Sequence, residues 1–197
     1  WNMKKQQIKS QRTRQNIMSA AAELFVRDGY EKTSVNGIVE KAGCSVGAFY
    51  GHFKSKQELA SLIWAESTIE IIKESVEKGS RIKEFDAFID YLIMRSISSY
   101  SNKLTNVLFK HISYTAEVRS NMAQWAARYT GMIRNMLHQY APEASEDAVW
   151  SYASIIHAIL NSHAQKFSEQ ATYLFFSDDV LKEAIYALME ACKNSSN

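Results

Sequence analysis

The stretch AGCSVGAFYGHFKSK, Ala42 to Lys56, decides the fold. It contains Gly43-Cys44-Ser45-Val46-Gly47, which taken alone is the G-x-S-x-G of a serine hydrolase's nucleophile elbow. With its flanks, the same pentapeptide reads as a tight turn between two short helices. An elbow needs a strand before the serine and a helix after it. The residues before it, VNGIVEKA, are charged and helical in pattern. No strand precedes the serine, so the helix-turn-helix reading stands.

Working outward, apolar residues recur at helical spacing. Ile17, Ala20, Ala21, Leu24 and Phe25 predict a first helix from about Ser10 to Asp28, with Thr13 as a possible cap and Gly29 as its stop. Thr33 or Ser34 caps a short second helix carrying Val35, Ile38 and Val39, which Gly43 ends. Ser45 caps a third with Val46, Phe49, Tyr50 and Phe53. Phe49 and Phe53 are expected in the core, and Tyr50 at a phosphate. Ser55-Lys56-Gln57-Glu58 is a capping box that launches a long fourth helix, to about Gly79. Five more amphipathic helices follow, near 85–97, 103–111, 118–140, 146–169 and 178–193. The reading is all-α with about nine helices, in two parts.

Charge divides the chain the same way. Residues 1–60 hold ten basic against five acidic residues, whereas the remainder is acidic on balance. A basic first module points to an anionic partner for that part alone. A recognition helix bearing Gly47, Ala48 and Gly51 is intrinsically weak, but its small side chains let the backbone come close to DNA. Tyr50, His52, Lys54 and Lys56 surround it with phosphate-type donors. The basic run Lys4, Lys5, Lys9, Arg12 and Arg14 is either a solubilising tail or a DNA arm.

Two cysteines, Cys44 and Cys192, make no disulfide framework, and they read as reduced thiols. No secretory signal is evident, and Trp1-Asn2 ahead of Met3 reads as extraneous. The uncharged run Ala148–Gln165 holds serines, Asn161, His157 and His163, so it is too polar for lipid. No membrane role is expected. Neither Glu-x-x-His nor H-E-x-x-H occurs, so no metal, cofactor or catalytic residue is expected. The alternative is an all-helical metal-binding or hydrolytic enzyme, for which the sequence carries no metal motif and no strand ahead of Ser45.

Ala21, Leu24-Phe25, Gly29-Tyr30, Thr33-Ser34-Val35, Ile38, Ala42-Gly43, Ser45, Gly47, Phe49-Tyr50, Phe53, Ser55-Lys56 and Leu59 together resemble the TetR family of transcriptional regulators over about 40 residues. The resemblance implies a three-helix helix-turn-helix DNA-binding domain at 1–56 and a helical effector-binding and dimerisation domain at 57–197. It implies a cytoplasmic, nucleoid-associated bacterial homodimer, usually a repressor, that binds a palindromic operator in double-stranded DNA and is released by a small effector. Carried over by position, Thr33, Ser34, Ser45, Val46, Gly47, Tyr50, His52 and Lys56 face DNA. A hydrophobic or aromatic effector is expected among Trp64, Tyr91, Met94, Phe109, Trp125, Tyr129, Met132 and His157. Ser151, Ser154, Ala158 and Ser162 form a ridge of small residues which, with Leu181, Ile185 and Leu188, is expected to pair two subunits through a four-helix bundle.

Overall fold

A computed structural model describes residues 2–100, 102–165 and 177–195. Among them are nine helices: α1 (Asn2–Asp28), α2 (Val35–Ala42), α3 (Val46–His52), α4 (Lys56–Gly79), α5 (Phe85–Tyr100), α6 (Lys103–Phe109), α7 (Ala116–Tyr140), α8 (Glu146–Gln165) and α9 (Asp178–Lys193). The expected all-α class is what is found. Positions 166–169, expected to end α8, lie outside the described residues, as does the side chain of Ile97. The first helix begins some eight residues before the expected Ser10. Thr13 therefore lies inside it, its hydroxyl donating to the Lys9 carbonyl at 3.0 Å instead of capping.

By packing, the chain forms two compact units, one of Trp1–Thr68 with Lys103–Ser120 and one of Ile69–Asn102 with Asn121–Asn197. In the first, the apolar stripe of α1 (Ile17, Ala21, Leu24, Phe25) meets Ile38 and Val39 of α2, Phe49 of α3 and Phe53 beyond it. Leu59, Ala60 and Ile63 of α4 and Leu108 of α6 are buried with them. A fully buried Phe contributes roughly 1.5–3 kcal/mol by area, so Phe25, Phe49 and Phe53 are the largest anchors of a small core. In the second unit, Phe88, Ile89 and Leu92 of α5, Ile133 and Leu137 of α7, Val149, Ala153 and Ile156 of α8 and Leu181, Ile185 and Met189 of α9 make one cluster. Packing of α5 on α8 and of α9 on both holds it together.

Local chemistry sets the helix ends of the first unit. Gly43 sits at φ 65°, ψ 39° after α2, a conformation that costs any residue with a Cβ. Its N–H donates to the Glu40 carbonyl and that of Cys44 to the Val39 carbonyl, the two bonds of a Schellman stop. Gly29 does similar duty after α1 at φ 84°. At the start of α4 the Ser55 hydroxyl accepts from the Glu58 N–H at 3.0 Å, while the Glu58 carboxylate accepts from the N–H of Lys54. The box expected at Ser55–Glu58 thus forms, reaching back one residue further than its simplest version.

Candidate nucleic-acid interface

Two helices joined by three residues carry the site. Ser34 caps α2, its Oγ accepting from the Gly37 N–H, and Ser45 caps α3, its Oγ accepting from the Ala48 N–H, each at 3.1 Å. Both cap residues are extended (ψ 156° and 158°), so the backbone turns sharply into each helix. Ser45 is therefore a helix cap preceded by a helix and not a strand. The elbow reading has no geometry to support it.

One face of α3 is spent on the core, with Phe49 fully buried, and the other is bare. Val46 is 41% exposed and Tyr50 57%, one helical turn apart on the same face. Between and beside them stand Gly47 and Gly51, both exposed; a Cβ at Gly51 would meet nothing within 4 Å. Ser34, Asn36, Ser45 and Lys54 are exposed as well. His52, in the last turn of α3, is half-buried with its ring 6.2 Å from that of Phe53.

Two expected contacts are placed differently. Thr33 is only 4% exposed, and its hydroxyl donates to the Gly29 carbonyl at 2.8 Å. It closes the turn between α1 and α2 and has no hydroxyl proton left to offer a phosphate. Lys56 is half-buried: its Nζ donates to the carbonyls of Tyr30 (2.8 Å) and Thr33 (2.9 Å) and lies 4.1 Å from the centroid of the Tyr30 ring. Tyr30 in turn stacks on His111 with centroids 4.0 Å apart and planes at 15°. His111 Nδ1 is 3.5 Å from the Glu31 carboxylate. Sequence reasoning missed this stack, because pairing positions 30 and 111 needs the fold.

The expected effector-lining residues do not form one wall. Trp64 and Phe109 belong to the first unit, their rings 6.2 Å apart, with Tyr114 6.0 Å from Trp64. The others belong to the second unit. There Met94 is 55% exposed, and half-buried Trp125 lies beneath the Arg128 guanidinium at 4.6 Å. Tyr91 donates to the Ser75 carbonyl at 3.0 Å. A Cβ at Gly79 would sit 2.5 Å from Met132 Sδ and 3.0 Å from Tyr91 Cε1, so any larger residue there requires the Met132 side chain to move. Buried Tyr129 has its ring 5.0 Å from that of His157, whose Nδ1 is 2.7 Å from the Thr130 hydroxyl. Burial pushes the Tyr129 hydroxyl well above its usual pKa and lowers that of His157, so both are neutral near pH 7. A void of about 10 Å³, room for about one water, is lined by Phe88, Leu92, Ile133, Met136, Ile156 and Met189 among others, none of them expected to line an effector site.

On α8, Ser151, Ser154 and Ala158 are exposed and Ser162 is half-buried. Trp150 (41% exposed) and Ile155 (43%) share that face, as Val180 (49%) does the outer face of α9. Sequence reasoning passed over these three, although a helical wheel places Trp150 and Ile155 beside the small-residue ridge. Leu181 and Ile185 correct the expected interface, since each is 1% exposed within the core of its own chain. Leu188 is half-buried against the same core.

Residues 17–63, which span this whole arrangement, match the family model described as bacterial regulatory proteins, tetR family. Residues 17–63 are thus a TetR-family DNA-binding segment. It is 43% identical over 68 residues to the HTH-type transcriptional regulator AcrR of Shigella flexneri, covering 34% of this chain and 32% of that protein. To the transposon Tn10 TetC protein of Escherichia coli it is 34% identical over 99 residues, 47% of this chain and 50% of that one. The chain thus spans half or less of the length of these TetR-family relatives. Among solved structures, a transcriptional regulator from Aquifex aeolicus superposes with a TM-score of 0.51 at 26% identity, covering 92% of this chain and 98% of its own. The matched family is one of regulatory proteins, and Ser45 serves here as a helix cap. Among the described residues no cluster of His, Cys, Asp and Glu suits a metal ion, and no helix is long and apolar enough to cross a membrane.

Proposed function

We propose that this chain is a ligand-responsive, DNA-binding transcriptional regulator, a repressor that sits as a homodimer on a palindromic operator in the bacterial cytoplasm, at the nucleoid. The bare face of α3 carries the reading: Val46 and Tyr50 stand out while Phe49 behind them is fully buried. Apolar contact suits a thymine methyl, and a phenolic hydroxyl suits a phosphate. The Ser34 and Ser45 hydroxyls accept from their own helices, so each keeps a proton to donate outward. His52 flanks them. Residues 1–56 act as the DNA-binding domain and 57–197 as the effector and dimerisation domain.

The dimer uses the exposed face of α8, with Ser151, Ser154, Ala158 and the flanking Trp150 and Ile155, against the same face of a second copy. The effector is a small hydrophobic or aromatic molecule bound in the second unit near Tyr91, Tyr129, Met132 and His157. Effector binding there shifts the chain toward a state with lower operator affinity.

Selection of bound duplexes from a genomic library tests the reading. Enrichment of a palindromic sequence, lost with Tyr50→Ala in a protein that stays folded, is the expected result. No enrichment, or enrichment indifferent to Tyr50, would sink it.

A further inference from the structure

Residues Lys4 to Arg12 of α1 place no side chain in a core. Every residue from Lys4 to Arg12 is exposed, Ile8 by 63%, and the first buried residue is Ile17. Lys4, Lys5, Lys9, Arg12 and Arg14 stand in this sequence with no acidic residue before Glu23. With five cations and no carboxylate, the segment suits contact with an anionic surface.

Its position says where that contact lies. The Arg14 guanidinium is 5.4 Å from the centroid of the Phe53 ring, and Phe53 is the residue that ends α3. The unpacked segment therefore leaves the unit beside the end of the recognition helix. Residues 2–12 span ~16 Å at helical rise, the axial length of about five nucleotide steps on one strand. Lys5, Lys9 and Arg12 fall at spacings of four and three, and so share one face.

We propose that this basic extension is a second DNA contact, laying Lys5, Lys9 and Arg12 along phosphates that flank the groove occupied by α3. The inference rests on the DNA-binding reading above and adds a flanking, sequence-independent contact to it.

The test compares the full chain with the triple variant Lys5→Gln, Lys9→Gln, Arg12→Gln on a duplex selected from genomic DNA, from 50 to 200 mM salt. Three lost phosphate contacts should make the slope of log affinity against log salt shallower by ~2.7 per subunit, or roughly 40-fold over that range. Binding by both proteins with equal slopes overturns the inference and leaves the DNA-binding reading intact. Failure of the unaltered chain to bind any selected duplex overturns both. Phosphatidylglycerol vesicles provide the second arm. If they retain the unaltered chain but not the variant, while the DNA slopes agree, the segment is a membrane contact and the inference fails.

Discussion

Replacing Lys56 by Met keeps the aliphatic stem and removes only the ammonium, which separates two roles for this residue. In the structure that ammonium joins the Tyr30 and Thr33 carbonyls, on either side of the turn between α1 and α2, and faces the Tyr30 ring. Hydrogen bonds to a charged group contribute about 1.5–3 kcal/mol each when sheltered, and an exposed cation–π contact about 0.5–1 kcal/mol. Lys56 is only half-buried, so water recovers much of what is lost, and the net cost should be about 1–2 kcal/mol. For a chain of this length that is a fall in Tm of roughly 2–8 °C. Operator affinity should fall with it on every sequence, because the turn that aims α2 and the Ser34 cap has loosened. Its salt slope should stay the same. Thermal unfolding followed by circular dichroism, with binding titrated at several salt concentrations, gives both numbers. An unchanged Tm together with a slope shallower by ~0.9 per subunit would show that Lys56 contacts a phosphate and that its carbonyl bonds are incidental.

Gly43→Ala should destabilise the protein by about 1–2 kcal/mol through the left-handed backbone alone, since a Cβ there meets nothing within 4 Å; an unaffected midpoint in urea would refute the strain argument. Ala158→Arg should give a folded monomer by sedimentation, because Ala158 is exposed, whereas Leu181→Arg should unfold the second unit; a dimeric Ala158→Arg variant would place the interface elsewhere. Burial holds the His157 pKa below 6.5, so its contribution to stability is complete above about pH 6.5 and is lost as pH falls through the lowered value. His157→Gln should flatten the stability profile in that window, and an unchanged profile would place the acid sensitivity in other groups.

Much of the first unit was legible in the chain. Helix starts and stops depend on short-range chemistry, so Gly43, Ser45 and the Ser55–Glu58 box could be assigned from spacing alone, while the cap of α2 was narrowed to Thr33 or Ser34 and the structure has Ser34 there. Phe49 and Phe53 were legible as core because helical period and size both put them there. Thr33 and Lys56 were not. Their side chains are taken by backbone carbonyls, and for Lys56 those lie 23 and 26 positions away.

In the second unit the sequence determined the helices but not their partners. An apolar stripe shows that a face is buried, not whether its own chain or a second copy covers it. Leu181 and Ile185 look alike in sequence to residues of an interface, yet α5 and α8 of the same chain already enclose them. Likewise, eight large side chains suited to an effector could be named, but only packing divided them between two units and brought Tyr91 and Met132 together against Gly79. Periodicity is a property of one helix and survives in the sequence. Which helices meet is settled by the fit of many side chains at once, and that exists only in the folded chain.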